Sequence, residues 1–437
     1  TSKIFGSDFM GRCTLLLSWV FALYCGIGGG SWSQESIESE RIMKHIRFLA
    51  SDELKGRDAG TPGEEKAAIY IADEFKALGL QPIGDDGSYF QHFDAKGRQA
   101  RNVVAWLPGS DSSRSHEHVV VGGHFDHVGL GSYGSTWGKG GRGLIHNGAD
   151  DNASGTAVVI EVARALVQEK ISLGRSVLFI LFTAEERGLL GSNYYVDHPL
   201  KPLRDCVGMI NLDMVGRGKT GHFKIYGSGS GRGLGDILSK INRKYRYEID
   251  EVPFGVAPSD NTPFYLKQIP VLFFHTGMHP EYHTPWDDVE WVNAENAECV
   301  GRFVFDVTRT VCDSPGRISH RWSELHLPSL FQGADSAWEM LQDQLKLARG
   351  GARLGVGVED VVPQGSGVRV LSVARTGAAS RVGIRIGDVL TRLGDSPIRD
   401  LDSLTEAVGG CFPGQEVELA YQRDGRSVVV TVRLGRR

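Results

Sequence analysis

The stretch Val177-Leu178-Phe179-Ile180-Leu181-Phe182-Thr183-Ala184-Glu185-Glu186 decides the fold class. An unbroken apolar run of this length reads as a strand buried on both faces, unlike the alternating pattern of a half-exposed sheet. Adjacent carboxylates emerging from such a strand are costly unless they are solvated, paired or bound to metal. Because neighbouring residues point in different directions, one of the pair can coordinate an ion while the other faces a reacting water.

Working outward, short apolar runs at Val103 to Leu107, His118 to Gly122, Val207 to Leu212, Phe223 to Tyr226 and Val271 to Phe274 also predict strands. Helical spacing predicts helices at Ser36 to Phe48, Gly155 to Gln168, Gly188 to Val196, Gly231 to Tyr245 and Asn293 to Val311. A further helix opens at Gly60-Thr61-Pro62-Gly63-Glu64, with Thr61 as N-cap, Pro62 as first helical residue and Glu64 as capping-box carboxylate. The alternation implies an α/β fold with a mixed, largely parallel sheet sandwiched by helices. Ligands in such folds bind outside the carboxyl ends of the strands.

Candidate metal-binding side chains cluster at those ends. His124-x-Asp126 closes one strand, so that one residue can bind metal while the other holds the imidazole in position. Asp150-Asp151 precedes a helix, with Ser154 available as its cap. Asp213 ends another apolar strand, and Tyr282-His283-Thr284-Pro285 forms a loop after the last one. Each motif alone is ordinary, but together they supply imidazole and carboxylate donors without cysteine, a set suited to a borderline divalent ion.

The ordered motifs His-x-Asp (124–126), Gly-Ala-Asp-Asp-Asn-Ala-Ser-Gly (148–155), Ala-Glu-Glu-x-Gly-Leu-x-Gly-Ser (184–192), Asn-Leu-Asp-Met (211–214) and His-Thr-Pro (283–285) resemble the two-zinc aminopeptidases of metallopeptidase family twenty-eight. The resemblance runs from Glu38 to Val311 and includes Gly56-Arg57. It implies that His124 and Asp213 bind one zinc, Glu186 and His283 the other, and that Asp151 bridges them. It further implies Glu185 as general base, Asp126 as orienter of His124, Tyr282 as donor to the developing oxyanion, and a cis peptide at Asp151-Asn152. Asn261 departs from the pattern, because many relatives carry histidine after the Ser-Asp pair found here at Ser259-Asp260. Carboxypeptidases, dipeptidases and glutaminyl cyclases share the fold and part of the ligand set. The glycine-rich segment Gly129 to His146 reads either as a surface loop or as a lid or wall over the metals.

The chain divides into four parts: 1–34, a signal peptide or N-terminal anchor; 36–312, the catalytic domain; 313–350, a linker with a bridging helix at Ala334 to Ala348; and 351–437, a small β-rich domain. The last resembles a PDZ domain, through Leu354-Gly355-Val356, Gly377-Ala378-Ala379 and Ile386-Gly387-Asp388-Val389-Leu390. By that resemblance Leu354, Gly355 and Val356 offer backbone N–H groups to a peptide or protein C-terminus, beside a groove helix at Leu401 to Val408. A module that carries the function, with a metal site that only stabilises the fold, would make the chain a binding protein instead; a purely packing role for the module is a separate alternative.

Arg12 precedes an uncharged stretch from Cys13 through Gln34, apolar and then small-residue rich, which predicts export, with membrane association only through an uncleaved N-terminal segment. A net charge of -5 over 437 residues argues against nucleic acid as a partner. Peptides are the expected substrates. Cys206, Cys299, Cys312 and Cys411, with no Cys-x-x-Cys spacing, are expected to be mostly buried thiols.

Overall fold

Burial along the strands has period two with both faces covered. Val177, Phe179 and Leu181 enter one apolar core while Leu178, Ile180 and Phe182 enter another. The neighbouring strand repeats the pattern, with Val119 and Val121 on one side and Val120 on the other. A sheet covered on both faces is the arrangement that the quoted stretch requires.

The structure is a computed structural model that describes residues 37–169, 172–322, 352–360, 367–374, 377–409, 411 and 414–436. The N-terminal segment 1–34 and the bridging helix expected at Ala334 to Ala348 lie outside the described residues. Among the described residues no helix is long and apolar enough to cross a membrane.

In the catalytic region the strands are β1 (Gln81–Pro82), β2 (Phe90–Asp94), β3 (Gln99–Leu107), β4 (His118–His124), β5 (Ser176–Phe182), β6 (Cys206–Leu212), β7 (His222–Tyr226), β8 (Glu248–Val252) and β9 (Val271–His275). Their order is β1-β3-β5-β4-β6-β9-β7-β8, with β2 beside β3. The four central strands β5, β4, β6 and β9 run parallel. Antiparallel pairings of β3 with β5 and of β7 with β9 flank them. Helices α1 (Ser39–Leu49), α2 (Pro62–Ala77), α3 (Gly155–Gln168), α5 (Leu234–Tyr245) and α7 (Ala294–Asp313) pack on the face of the larger core, and α4 (Leu190–Asp197) and α6 (Asn261–Leu266) on the other. The parallel strands end in register, since His124 pairs with Phe182 and Leu212 with Phe274. The loops carrying the motifs therefore leave the sheet along one edge.

Local details differ from the sequence expectations for physical reasons. Helix α4 starts at Leu190 because Gly188 and Leu189 both take positive φ. Helix α5 starts at Leu234 because Gly231 is bridged to His320, in a segment that runs back across the catalytic region after α7. Ser154 does not cap α3; its hydroxyl donates to Asp150, and the cap falls to Asn152, whose Oδ1 accepts from the Gly155 N–H at 2.9 Å. At α2 the capping box is half made: Thr61 Oγ1 accepts from the Glu64 N–H, but the Thr61 N–H is taken by the Asp58 carbonyl. Glu64 turns inward instead, and burial raises its carboxyl to about 8.

The C-terminal region forms an all-antiparallel sheet of β11 (Val356–Asp360), β12 (Val368–Val373), β13 (Val389–Leu393), β15 (Glu416–Arg423) and β16 (Arg426–Arg433), in that order, with β14 (Ser396–Pro397) on β13. A separate pair joins β10 (Ala352–Arg353) to β17 (Gly435–Arg436). Asp424 and Gly425 both take positive φ, as a tight hairpin turn demands. Strand β11 is an edge, and helix Leu401–Gly409 contacts it. Cys206, Cys299, Cys312 and Cys411 are free thiols, all but Cys299 buried.

Glu64 supplies a test of the packing. Its ordinary value is 4.5 and its folded value about 8, so its contribution to stability is whole below pH 4.5 and is lost as pH rises through 8. Glu64→Gln cannot ionise, and its melting temperature relative to wild type should rise across that window and then level off. Melting curves at about pH 5 and about pH 8.5 check this; a difference between the two proteins that ignores pH would contradict it.

Candidate metal centre

Asp151 stands between two sets of donors. Its Oδ1 lies 3.3 Å from His124 Nε2, which is also 3.3 Å from Asp213 Oδ1. Its Oδ2 lies 3.0 Å from His283 Nε2 and 3.8 Å from His127 Nδ1. Glu186 Oε1 completes this second set, at 3.0 Å from His283 Nε2 and 2.9 Å from His127 Nδ1. Donors bound tetrahedrally to one zinc at about 2.0–2.1 Å stand about 3.3 Å apart. The separations are 3.3 Å in the first set and range from 2.9 to 3.8 Å in the second, on either side of that spacing, and the donors include Asp213 Oδ1 and His283 Nε2, buried atoms with no hydrogen-bond partner. The residues present fit two ions sharing Asp151.

The loop that carries Asp151 is built to hold it. The Asp151-Asn152 peptide bond is cis. Asn152 Nδ2 donates to the His124 carbonyl at 3.2 Å and to the Leu212 carbonyl at 2.9 Å, tying the loop to the ends of β4 and β6. Asp287 accepts from the N–H groups of Asp150 and Asp151 at 3.1 and 3.0 Å and pairs with Arg217 at 3.1 Å. Arg57 is buried and donates to four carbonyls, those of Leu49, Phe125, Asn147 and Gly148. It thereby clamps the turn after His124 to the loop before Asp150. Burial lowers its guanidinium to about 10 while the surrounding carboxylates oppose the shift.

The remaining candidate donors are also held by hydrogen bonds. His283 Nδ1 meets the Gly134 carbonyl at 2.9 Å, which fixes the tautomer that leaves Nε2 free for metal. Thr136 adds bonds to the carbonyls of Tyr282 and His283. The glycine-rich segment is thus a wall that positions a ligand, and Tyr133 anchors it through Asp58, itself paired with Arg187 and Arg98. Ser259 Oγ donates to Asp213 Oδ2 at 2.8 Å and accepts from Asn211 Nδ2 at 2.7 Å. His124 Nδ1 lies 3.2 Å from the Asp126 carbonyl and 3.7 Å from its carboxylate, so the nearer acceptor is the main chain. The Asp126 carboxylate accepts from the Glu185 N–H at 3.1 Å.

Glu185 stands outside both donor sets, 6% exposed. Burial, reinforced by Glu186, Asp260 and Asp213, pushes its carboxyl well above the usual carboxylate range. The Tyr282 ring stacks on His283 with centroids 3.9 Å apart. Burial and the carboxylates around Asp151 keep its phenol protonated, and so able to donate. For Asp151 burial works the other way from its partners, and hydrogen bonds from His124 and His283 hold it well below its ordinary value.

The model of "Peptidase family M28" matches residues 102–308 and that of a PDZ domain matches residues 352–434. Residues 102–308 belong to peptidase family M28. Aminopeptidase YwaD of Bacillus subtilis is 34% identical over 167 residues, covering 36% of this chain and 36% of that protein. A probable leucine aminopeptidase of Trichophyton verrucosum is 28% identical over 265 residues, covering 58% and 65%. Both alignments leave at least a third of the relative's own length unmatched. The solved structure of BSAP, a zinc aminopeptidase from Bacillus subtilis, superimposes with a TM-score of 0.52 at 18% identity, covering 66% of this chain and 98% of that one, a likeness of fold.

Within the M28 domain, Asn261 is buried and its Nδ2 donates to the Gly255 carbonyl at 2.8 Å, so it serves the turn before α6. In the PDZ domain Leu354 is a core residue, Gly355 takes φ of 81°, and Val356 begins the edge strand β11. His127, Asp287 and Arg217 join the site although sequence reasoning gave them no role, and Asn152, expected only as part of the cis peptide, ties the loop to two strands. Replacing Asp287 by Ala removes no metal donor, yet it should weaken metal binding by about 10–100-fold, as loss of an outer hydrogen-bonding partner does. Competition against a metal-sensitive chelator measures this, and unchanged affinity would contradict the assigned role.

Proposed function

We propose that this chain is a metal-dependent aminopeptidase that works with two zinc ions. The observation that carries the reading is the pair of donor sets on the two oxygens of Asp151. Two ions held there would lower the pKa of a shared water and polarise a peptide carbonyl. Glu185, free of both donor sets and with a raised affinity for protons, takes the proton of the attacking water and passes it to the leaving amine. The protonated Tyr282 phenol donates to the oxyanion that develops on the scissile carbonyl. Asp126 holds His124 in orientation, through its carbonyl at 3.2 Å and its carboxylate at 3.7 Å. His124 and Asp213 would hold one ion and Glu186 and His283 the other, with Asp151 between them.

A glutaminyl cyclase, carboxypeptidase or dipeptidase would use the same fold. The double donor set disfavours a cyclase working with one zinc, and the named aminopeptidase relatives favour removal of amino-terminal residues. The PDZ domain gives the enzyme a second peptide contact: an extended C-terminus added to the edge strand β11, with its carboxylate at the Leu354-Gly355-Val356 turn. The uncharged stretch from Cys13 through Gln34 supports export of the enzyme, which would then meet peptides outside the cytoplasm.

Peptides with free and N-acetylated termini, with and without a chelator, test the proposal. The expected result is cleavage of free termini only, abolished by the chelator. Glu185→Gln should retain its metal while kcat falls by roughly 10²–10⁴-fold, the usual contribution of a general base. Cleavage of acetylated peptides, or full activity in the variant, would overturn the assignment.

A further inference from the structure

The four-donor set contains a residue that the two-zinc pattern does not supply. His127 is buried, three residues after His124, and its Nδ1 faces Glu186 Oε1 at 2.9 Å and Asp151 Oδ2 at 3.8 Å. Its ring meets that of His283 nearly edge-on, at 5.3 Å between centroids and 79°. The backbone around it is fitted to the ring. Gly148 has φ of 60°, and a Cβ there would stand 2.6 Å from His127 Cγ and Cδ2, so only glycine leaves room for the imidazole. The main chain of His127 is fixed at both ends, its N–H by the Arg57 carbonyl and its carbonyl by the Tyr133 hydroxyl, each at 3.4 Å.

We infer that His127 is a fourth protein ligand on the His283 side, so that the two metal positions are chemically unequal. This rests on the two-metal reading above. Asp151, Glu186, His283 and His127 form a closed set of four donors, two of them imidazoles, the arrangement typical of ions that are held rather than exposed. His124, Asp151 and Asp213 form a set of three, the arrangement that keeps a position open to water or substrate. The His283 side is therefore the first to fill and the last to empty. The His124 side keeps more of its coordination sphere open to substrate, and the shared water would be a fifth donor on the His283 side.

Stepwise zinc titration of the metal-free full-length protein against a competing chelator reads the order directly. Wild type should bind a first ion at least tenfold more tightly than the second. His127→Ala should weaken the first step by more than the roughly 100-fold upper bound for losing an outer-shell partner, whereas Asp213→Ala should weaken only the second. His127→Gln, which keeps an N–H for Glu186 but no imidazole, should not restore the first step. A loss within about 100-fold in His127→Ala, rescue by glutamine, or loss of the first ion in Asp213→Ala would overturn the inference. X-ray absorption of wild type carrying one equivalent of zinc needs no variant: two imidazoles on the ion are expected, and one would contradict the assignment. These readouts are independent of hydrolysis, so they stand or fall apart from the peptidase reading.

Discussion

The site is organised around one carboxylate, that of Asp151, which stands between two sets of candidate donors. A buried carboxylate with acidic neighbours on both sides is expensive unless positive charge accompanies it. Here Asp126, Glu185, Glu186 and Asp213 gather about it together with the imidazoles of His124, His127 and His283. Divalent ions are the natural complement of such a cluster. The loop that presents Asp151 is tied down on several sides, with Asn152 bonded to the ends of two strands, Asp287 bonded to two of its N–H groups and Arg57 clamping the turn before it.

The same arrangement sets Glu185 apart from Glu186. Glu185 and Glu186 leave β5 side by side, and the alternation that ends with Phe182 sends them in different directions. Glu186 joins His127 and His283 as a donor, while the Glu185 N–H is fixed on Asp126 and its carboxyl stays proton-hungry in a buried setting. The glycine-rich segment contributes through Gly134 and Thr136, which orient His283. A mobile-looking composition thus encodes a positioning wall, since its glycines permit the close turns that bring carbonyls to the imidazole.

Much of this was legible in the sequence, and what was not has identifiable causes. The apolar runs of β4, β5, β6 and β9 announced a sheet buried on both faces, and the motifs at their ends followed from that. Strand β8, Glu248–Val252, carries acidic residues on an exposed edge, so no apolar run betrayed it. Helix α6 is short and has Pro263 inside it, which hides its period. His127 lies beyond the end of β4, where strand alternation no longer fixes the direction of a side chain. Asp287 and Arg217 are single polar residues on loops, brought to Asp151 by tertiary folding alone. Ser154 had the chemistry of a cap, but a nearer use for its hydroxyl on Asp150 left the cap to Asn152.

The most direct measurement is the anomalous scattering of a zinc-loaded crystal at the zinc edge. The account predicts two peaks about 3.5–4 Å apart, one on each oxygen of Asp151, with His124 and Asp213 on one and Glu186, His283 and His127 on the other. A single peak, or two ions of which only one touches Asp151, would contradict it.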